Sequence, residues 1–432
     1  MTYEEAKVYI EQVSRTGSIL GLENIQNLMQ ELSDVQENLN IIHIGGTNGK
    51  GSIGAFIESV LIEAGYRVGR YTSPAVFEPF EVWRINRKNI ALESYLECLS
   101  QVKEACEGLL AKGLPQPTVF EVETALAFVY FHQEKCDYVL LEVGMGGETD
   151  ATNLITKPVC SVLTSISMDH MQFLGNSLTE IACVKAGIVK AGCPVVTADS
   201  QKTEVLQVIK DVAEQKGAEL FVAETVMDEN YRDIQVSLGG ISYNHELLGQ
   251  VKLKLAGSYQ IENSILAATV CKKVLHLSDE VILRGLEKTI WPGRFEVVSK
   301  KPLIILDGAH NEDAAEKLAN TIQKHFTNRR ITYIIGVLAD KEHAKMLALM
   351  LPLAQKVYTV TPSNARALNG AVLAEEVRSF GKEAVYCEKM ADAVNFAAKE
   401  AEEGETDVII AFGSLSYLAA LKKEVRGNHG QE

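Results

Sequence analysis

No C-x-x-C pair occurs among the eight cysteines, which stand singly along the chain. Such scatter argues against a zinc site. Several thiols, Cys160 and Cys271 among them, sit inside apolar runs, which points to buried thiols in a reducing compartment. No apolar run is long enough to span a bilayer. The opening Met1-Thr2-Tyr3-Glu4-Glu5 is acidic and no apolar h-region follows, so no secretory signal is expected and a cytoplasmic location is. Positive charge is in deficit too: 42 Lys and Arg stand against 57 Asp and Glu, a formal net charge of −15. That balance counts against nucleic-acid or membrane-surface partners, but not against small anionic substrates, which need only a local basic pocket. There is no fixed-period repeat and no low-complexity tract.

What is present is a globular composition, with 47% hydrophobic and 23% charged residues in 432. That length exceeds one ordinary core, so two domains are expected. The chain is organised around Ile41-Ile42-His43-Ile44-Gly45-Gly46-Thr47-Asn48-Gly49-Lys50-Gly51-Ser52, an apolar run feeding a glycine-rich loop, with a helical pattern from Ile53. Strand, loop and helix in that order cradle phosphate, because loop amides and the positive end of the helix point at the anion. Gly51 separates Lys50 from Ser52, so the usual G-x-x-x-x-G-K-[ST] pattern fails. Gly49, Gly51 and Gly54 also spell a dinucleotide fingerprint. That motif wants an acid at the end of the next strand, and Arg67–Tyr71 offers none, so a triphosphate is favoured over NAD.

Tyr3 to Leu32 reads as helices broken at Arg15-Thr16-Gly17-Ser18. The phosphate-loop helix is expected to end at Gly65. The segment from Ala75 to Asn89 has no clear period and reads as an ordered loop beside the phosphate site. Helices are predicted over Leu92–Leu110 and Phe120–His132, and strands over Asp137–Val143, Val159–Ile166 and Pro194–Ala198. Alternation of this kind implies a mostly parallel sheet covered on both faces. Residues 218–256 break the rhythm, with a hairpin signature about Gly239-Gly240, and a helix from Gln260 to Leu275 follows. Trp291-Pro292-Gly293-Arg294 marks a domain boundary, beyond which βα alternation restarts. The expected fold is α/β: a P-loop-type, mostly parallel sheet domain over 1–291 with a small antiparallel side sheet, a linker at 292–298, and a second doubly wound, Rossmann-like α/β domain over 299–432.

Glu142 stands near the C-terminal end of an apolar strand, where a carboxylate is costly unless paired or bound to metal. Magnesium, which phosphoryl transfer requires, takes hard oxygen ligands, and this is where a Walker-B-type acid belongs. The alternative is a carboxylate satisfied by a nearby lysine. Gly144 to Asn153 forms a second glycine-rich loop at a strand end, or else a plain turn. Asp169-His170 follows another strand, and a capping box, Ser177 to Glu180, opens a helix that carries Lys185 and ends at Gly192.

Taken in order, Gly46-Thr47-Asn48-Gly49-Lys50-Gly51-Ser52, Tyr71-Thr72-Ser73-Pro74, Gly146-Gly147-x-x-Asp150-Ala151-Thr152-Asn153, Asp169-His170-x-x-x-Leu174-Gly175, Lys185-Ala186-Gly187-Ile188-x-Lys190, Gln260-x-x-Asn263, Trp291-Pro292-Gly293-Arg294-Phe295-Glu296, Asp307-Gly308-Ala309-His310-Asn311 and Gly413-Ser414-Leu415 resemble the folylpolyglutamate synthase and dihydrofolate synthase family, relatives of the Mur amide ligases. The resemblance spans nearly the whole chain. It implies that Thr47, Asn48, Gly49, Lys50, Gly51 and Ser52 hold the ATP phosphates, joined by Gln260, Asn263, Arg294 and Asp307. It implies metal ligation by Ser73, Glu142 and His170 to two Mg2+ ions, with K+ as a further candidate ion. Lys185 resembles the family lysine that is carbamylated. Thr118, Phe120 and Asp150 resemble the pterin pocket, and His310 and Ser414 the glutamate site. Lys50, His170 and Lys185 become the catalytic candidates.

The implied activity is ATP-dependent addition of L-glutamate to a folate, and also to dihydropteroate, through an acyl phosphate, in a cleft between two domains that closes on its substrates. The implied partners are small molecules, with neither nucleic acid nor membrane, and the implied state is a monomer. Two departures stand out. Glu81 is followed by Val82-Trp83 before Arg84, where the family often has Glu-Arg-Ile, and Ser416 separates Leu415 from Tyr417. A Mur-type ligase acting on a cell-wall precursor and a slow ATP-hydrolysing binding protein are the alternatives.

Overall fold

A computed structural model describes residues 1–17, 21–225, 231–246 and 248–428. Within them the chain divides into two compact units, one made of 1–75, 79–226 and 262–286, the other of 76–78, 227–261 and 287–432.

The first unit opens with α1 (Tyr3–Ser14) and α2 (Glu23–Glu31), separated at the expected break, of which Ser18 lies outside the described residues. Strand β1 (Ile41–Gly45) leads into α3 (Lys50–Glu63). The helix therefore starts three residues before the apolar pattern does, with Gly49 as a left-handed N-cap. The first turn needs no intrahelical N–H acceptor, so Lys50, Gly51 and Ser52 can occupy it without an apolar signal. From Ser52 to Leu61 the helix is buried on every side, and so shows almost no amphipathic stripe.

After β2 (Val68–Tyr71) the segment read as a loop carries a 3₁₀ turn and two short strands, β3 (Trp83–Ile85) and β4 (Lys88–Asn89). They pair antiparallel, with Tyr71 opposite Trp83. Strands of three and two residues are too short to display a period. Then come α4 (Leu92–Ala111), α5 (Val119–Gln133), β5 (Tyr138–Glu142), β6 (Cys160–Leu163), α6 (Met171–Leu174), α7 (Leu178–Ala186), β7 (Val195–Ala198), α8 (Thr203–Gln215) and β8 (Leu220–Ala223). Helix α7 ends at Ala186 with Gly187 as its cap, rather than at Gly192, which instead forms a turn with φ +69°. Strand β8 runs parallel to β7, so the parallel sheet continues into the region where its rhythm was expected to stop.

The resulting eight-stranded sheet has the order β4-β3-β2-β5-β1-β6-β7-β8. Leu28, Leu99, Val122, Phe128 and Leu141 form one core, and Leu163, Ile181, Val195 and Ile209 form a second further along the same face of the sheet, since Leu141 and Ser161 are both in register with His43 and Ser161 with Val195. Each such fully buried side chain contributes about 1.5–3 kcal/mol through removal from water.

The second unit contains an antiparallel three-stranded sheet, β9 (Tyr231–Ser237), β10 (Gly240–His245) and β11 (Gly249–Leu253), turning at Gly240 with φ +136° as the hairpin signature predicts. Helix α9 (Gln260–Thr269) passes into a π-helical turn, Val270–Val274, and the boundary between units falls after its Ile261. Helix α10 (Asp279–Glu287) completes the first unit up to Leu286.

The second unit then resumes with β12 (Glu296–Lys300), β13 (Leu303–Leu306), α11 (Glu312–His325), β14 (Ile331–Ile335), α12 (His343–Met350), β15 (Lys356–Thr359), α13 (Gly370–Ser379), β16 (Glu383–Tyr386), α14 (Met390–Glu402), β17 (Val408–Phe412) and α15 (Leu418–Asn428). Its six strands run β12-β13-β17-β14-β15-β16, all parallel except β12. Ile305, Tyr333, Ile410 and Phe412 fill one face and Ile304, Ile334, Ile409 and Ala411 the other, the two-sided burial of a doubly wound sheet.

Candidate active site

In the first unit, the sheet order sets β2, β5, β1 and β6 side by side, and their C-terminal ends carry the sequence-selected residues. Ser73 follows β2, Glu142 closes β5, the phosphate loop follows β1, and His170 lies beyond β6. Glu142 is half-buried and in register with Ile44, so the acid stands beside the strand that feeds the loop.

The loop is pinned to the end of β6. Thr47 and Asn48 amides donate to Ser165 O, the Thr164 hydroxyl donates to Asn48 O at 2.7 Å, and the Thr47 hydroxyl donates to Ser167 O. Gly46 has φ +141°, and a Cβ there would lie 2.0 Å from Thr164 Oγ1, so no other residue fits. Lys50 Nζ donates to Gly46 O at 3.0 Å and to Thr47 O at 3.1 Å. Lys185, buried in α7, donates to the same Gly46 O at 3.0 Å. Two ammonium groups thus converge on one carbonyl at the mouth of the loop. Asn263 lies beside it, its Oδ1 close to Gly49.

Beneath the loop, Arg70 accounts for one of the three glycines of the dinucleotide-like fingerprint, Gly54. Its guanidinium donates to Gly51 O and to Glu58 Oε2 at 3.0 Å, and it packs where a side chain on Gly54 would stand. Arg70 and Glu58 are both buried, and severing such a pair costs about 3–5 kcal/mol. Arg84, displaced in sequence from the family pattern, is half-buried. Burial and the neighbouring Arg70 pull its pKa down, while Glu58, Glu81 and Glu142 around it oppose that shift.

His170 takes a left-handed backbone conformation at the start of α6, and its amide donates to Asp169 Oδ1 at 2.8 Å. Among the described residues no three His, Cys, Asp or Glu side chains form a metal cluster. A hydroxyl, a carboxylate and an imidazole dispersed over neighbouring strand ends suit a magnesium ion that takes most of its ligands from phosphates and water.

The second glycine-rich loop packs on α7: Glu148 N donates to Val184 O, and Gly147 lies against the Val184 and Lys185 carbonyls. Asp150 is buried and saturated by its own chain. Oδ1 accepts from Thr152 N at 3.0 Å and from the Thr152 hydroxyl at 2.6 Å, and Oδ2 accepts from Met145 N at 2.8 Å. Since the Thr152 hydroxyl donates to Asp150, His43 Nε2, 2.9 Å away, must donate to Thr152. Burial drives the His43 pKa down to about 3, so the ring is neutral. This relay ties β1 to the second loop. It was not singled out in the sequence, where a histidine inside an isoleucine run was the available signal. Phe120 and Asp150 meet at Gly144, whose absent side chain leaves room for the Phe120 ring. Thr118 caps α5 in a reciprocal box with Glu121.

In the second unit, Asp307 closes the loop after β13. Its carboxylate accepts from the Tyr259 hydroxyl at 2.7 Å, Phe295 N at 2.9 Å and Ala309 N at 2.8 Å. Burial raises its pKa and Arg294 opposes that shift. Tyr259 is a second residue not read from sequence, and Gln260, fully buried, follows it. His310 Nδ1 donates to Gly308 O at 2.8 Å. Ser414 lies after β17, the neighbour of β13, and Gly413 N donates to Ala309 O, which links the two loops. The inserted Ser416 has a place: its amide and hydroxyl both meet Ser414 Oγ, at 3.2 and 2.8 Å.

Residues 44–271 match the Mur ligase middle domain, and 293–415 match the Mur ligase glutamate ligase domain. A Bacillus subtilis protein named dihydrofolate synthase/folylpolyglutamate synthase is 36% identical over 98% of this chain and 99% of its own length. The chain belongs to the folylpolyglutamate synthase and dihydrofolate synthase family. A Lacticaseibacillus casei member named folylpolyglutamate synthase is 33% identical over 99% of both chains. The Mycobacterium tuberculosis folylpolyglutamate synthase solved with ADP and AMPPCP superposes with a TM-score of 0.87 at 28% identity, over 98% of each chain. Among the described residues no helix is long and apolar enough to cross a membrane.

Proposed function

We propose that this chain joins the amine of L-glutamate to a carboxylate of a folate at the expense of ATP, and that Lys50, His170 and Lys185 are its catalytic residues. It is an ATP-dependent carboxylate–amine ligase of the folylpolyglutamate synthase and dihydrofolate synthase family. The observation that carries the residue assignment is the convergence of Lys50 and Lys185 on Gly46 O at the mouth of the phosphate loop.

The substrate carboxylate attacks the γ-phosphate of ATP and forms an acyl phosphate. The amine of glutamate attacks that carbonyl, phosphate departs, and an amide remains. Negative charge grows on oxygen in both steps. In this reading Lys50 and the amides of Thr47 to Ser52 stabilise the phosphate charge, with Asn263 beside them. Ser73, Glu142 and His170 hold Mg2+, which supplies further neutralisation of phosphate charge, and K+ is a further candidate ion. Lys185 carries a carbamate in the working enzyme. Gln260, Asn263 and Arg294 bind the nucleotide, with Asp307 holding it from the second domain, His310 and Ser414 form the glutamate site, and Thr118, Phe120 and Asp150 form the pterin pocket. The domain limits proposed are 1–291, 292–298 and 299–432, supported by the start of the glutamate ligase match at 293. The chain acts as a cytoplasmic monomer.

The test is ADP release from purified protein with magnesium, assayed side by side with dihydropteroate and with tetrahydrofolate. Release should require both a pterin substrate and L-glutamate, and the product should gain one glutamyl residue by mass. Turnover with both substrates assigns both activities. ADP release independent of either substrate would contradict the ligase reading.

A further inference from the structure

Resting on the folate reading above, we infer that Glu123 is a further recognition residue, whose ionised carboxylate accepts the adjacent N–H donors on the 2-amino-4-oxopyrimidine edge of the pterin. Glu123 lies one helical turn after Phe120 on α5, on the side of the helix that meets β2 and β3: its own carbonyl accepts from Trp83 Nε1 at 3.0 Å, and the next residue, Thr124, meets the Tyr71 hydroxyl at 3.3 Å. Aromatic rings surround this place. Tyr71 and Phe120 have centroids 6.3 Å apart, Trp83 and Tyr95 5.6 Å, and Phe80 and Tyr95 4.9 Å. Flat rings next to a carboxylate suit a flat heterocycle that presents paired N–H groups at one edge.

Asp150, the other acid proposed for this pocket, already has its hydrogen bonds from the chain itself. Asp150 accepts three hydrogen bonds from Met145 and Thr152, with the Gly144 amide as a further donor. Glu123 is different: among the described residues its carboxyl oxygens receive no donor, and burial is the one cause acting on its pKa, pushed up to about 7. Its neighbours crowd it without sealing it, since it keeps partial exposure. The titratable groups that face it are Tyr71 from β2 and Tyr95 from α4, both of which feel its charge and both of which titrate above their ordinary range. On its own helix Glu121 is turned to the Thr118 cap. An unpartnered carboxyl in such a place costs stability, and a ligand edge with two donors offsets that cost.

The experiment measures KM for the folate substrate, ATP and glutamate between pH 6 and 8, in the wild type and in Glu123→Gln. In the wild type the folate KM should fall as pH rises, by up to about tenfold, as the carboxyl with pKa about 7 becomes charged. Glu123→Gln should flatten that profile and raise the folate KM about tenfold at pH 8, while the KM for ATP and for glutamate stay within about twofold. A folate analogue lacking the 2-amino group should lose its disadvantage in the variant. A variant whose folate KM and pH profile superpose on the wild type, or in which all three KM values rise together, would overturn the assignment. Absence of folate-dependent turnover in the wild type would remove the folate reading itself, and it is told apart because it needs no variant.

Discussion

Two lysines share one acceptor in this protein. Lys50 and Lys185 both donate to Gly46 O, which holds the Lys50 side chain at the mouth of the phosphate loop. Lys50→Ala should lower turnover by about a thousandfold or more while the protein stays folded, which calorimetry alongside the ADP assay would check. His43 offers a test with a definite sign. Its folded pKa, about 3, lies below the unfolded value near 6.5, so between those limits the unfolded chain binds the proton and stability falls as pH falls. The contribution is at most about 1.4 kcal/mol per pH unit across that window. Urea midpoints of the wild type should drop more steeply from pH 6.5 to pH 4 than those of His43→Gln. Equal slopes would mean that the ring is not held neutral. Glu123 behaves oppositely. Its carboxyl is pushed up to about 7, so ionisation favours the unfolded chain, and Glu123→Gln should raise the melting temperature at pH 8 and by less at pH 5.

At the scale of elements, glycine is required where a loop passes against another chain segment. Gly46 combines a left-handed φ with contact against Thr164, so Gly46→Ala should destabilise by about 2–4 kcal/mol and release the loop from the end of β6. Nucleotide affinity would fall with it, readable by calorimetric titration of ATP analogues. The relay from His43 through Thr152 to Asp150 predicts that Thr152→Val leaves the buried carboxylate short of one hydrogen bond and His43 Nε2 without its acceptor. A loss of about 2–3 kcal/mol is expected from denaturant titration. Elements with a helical period or a continuous apolar run, such as α4, α5 and the central strands of the second sheet, were readable in advance. Short ones were not: β3 and β4 span three and two residues, and α3 begins in glycine and serine because its first turn needs no apolar face. The end of α7 was misplaced for a related reason, since Gly187 caps it while packing tightly on Glu148, a tertiary contact invisible in the sequence pattern.

On the scale of the whole molecule, the ordered set of motifs specified the family, and most of them fall at strand ends in one of two sheets. The order β2-β5-β1-β6 gathers Ser73, Glu142, the phosphate loop and His170, and the pair β13-β17 gathers Asp307, His310 and Ser414. Sequence spacing could suggest those gatherings, but could not show that Asp150 is saturated, that Tyr259 holds Asp307, or that Glu123 lies among aromatic rings. Those facts depend on which donors each pocket supplies. The central claim is that ATP is spent on making an amide between a folate carboxylate and glutamate at the Lys50 loop. The most direct measurement is ADP release by wild type and Lys50→Ala with tetrahydrofolate and L-glutamate supplied singly and together. The account predicts release from the wild type only when both are present, matched by one glutamyl addition per ADP, and none from the folded variant. Release without glutamate at the full rate, or undiminished release from Lys50→Ala, would contradict it.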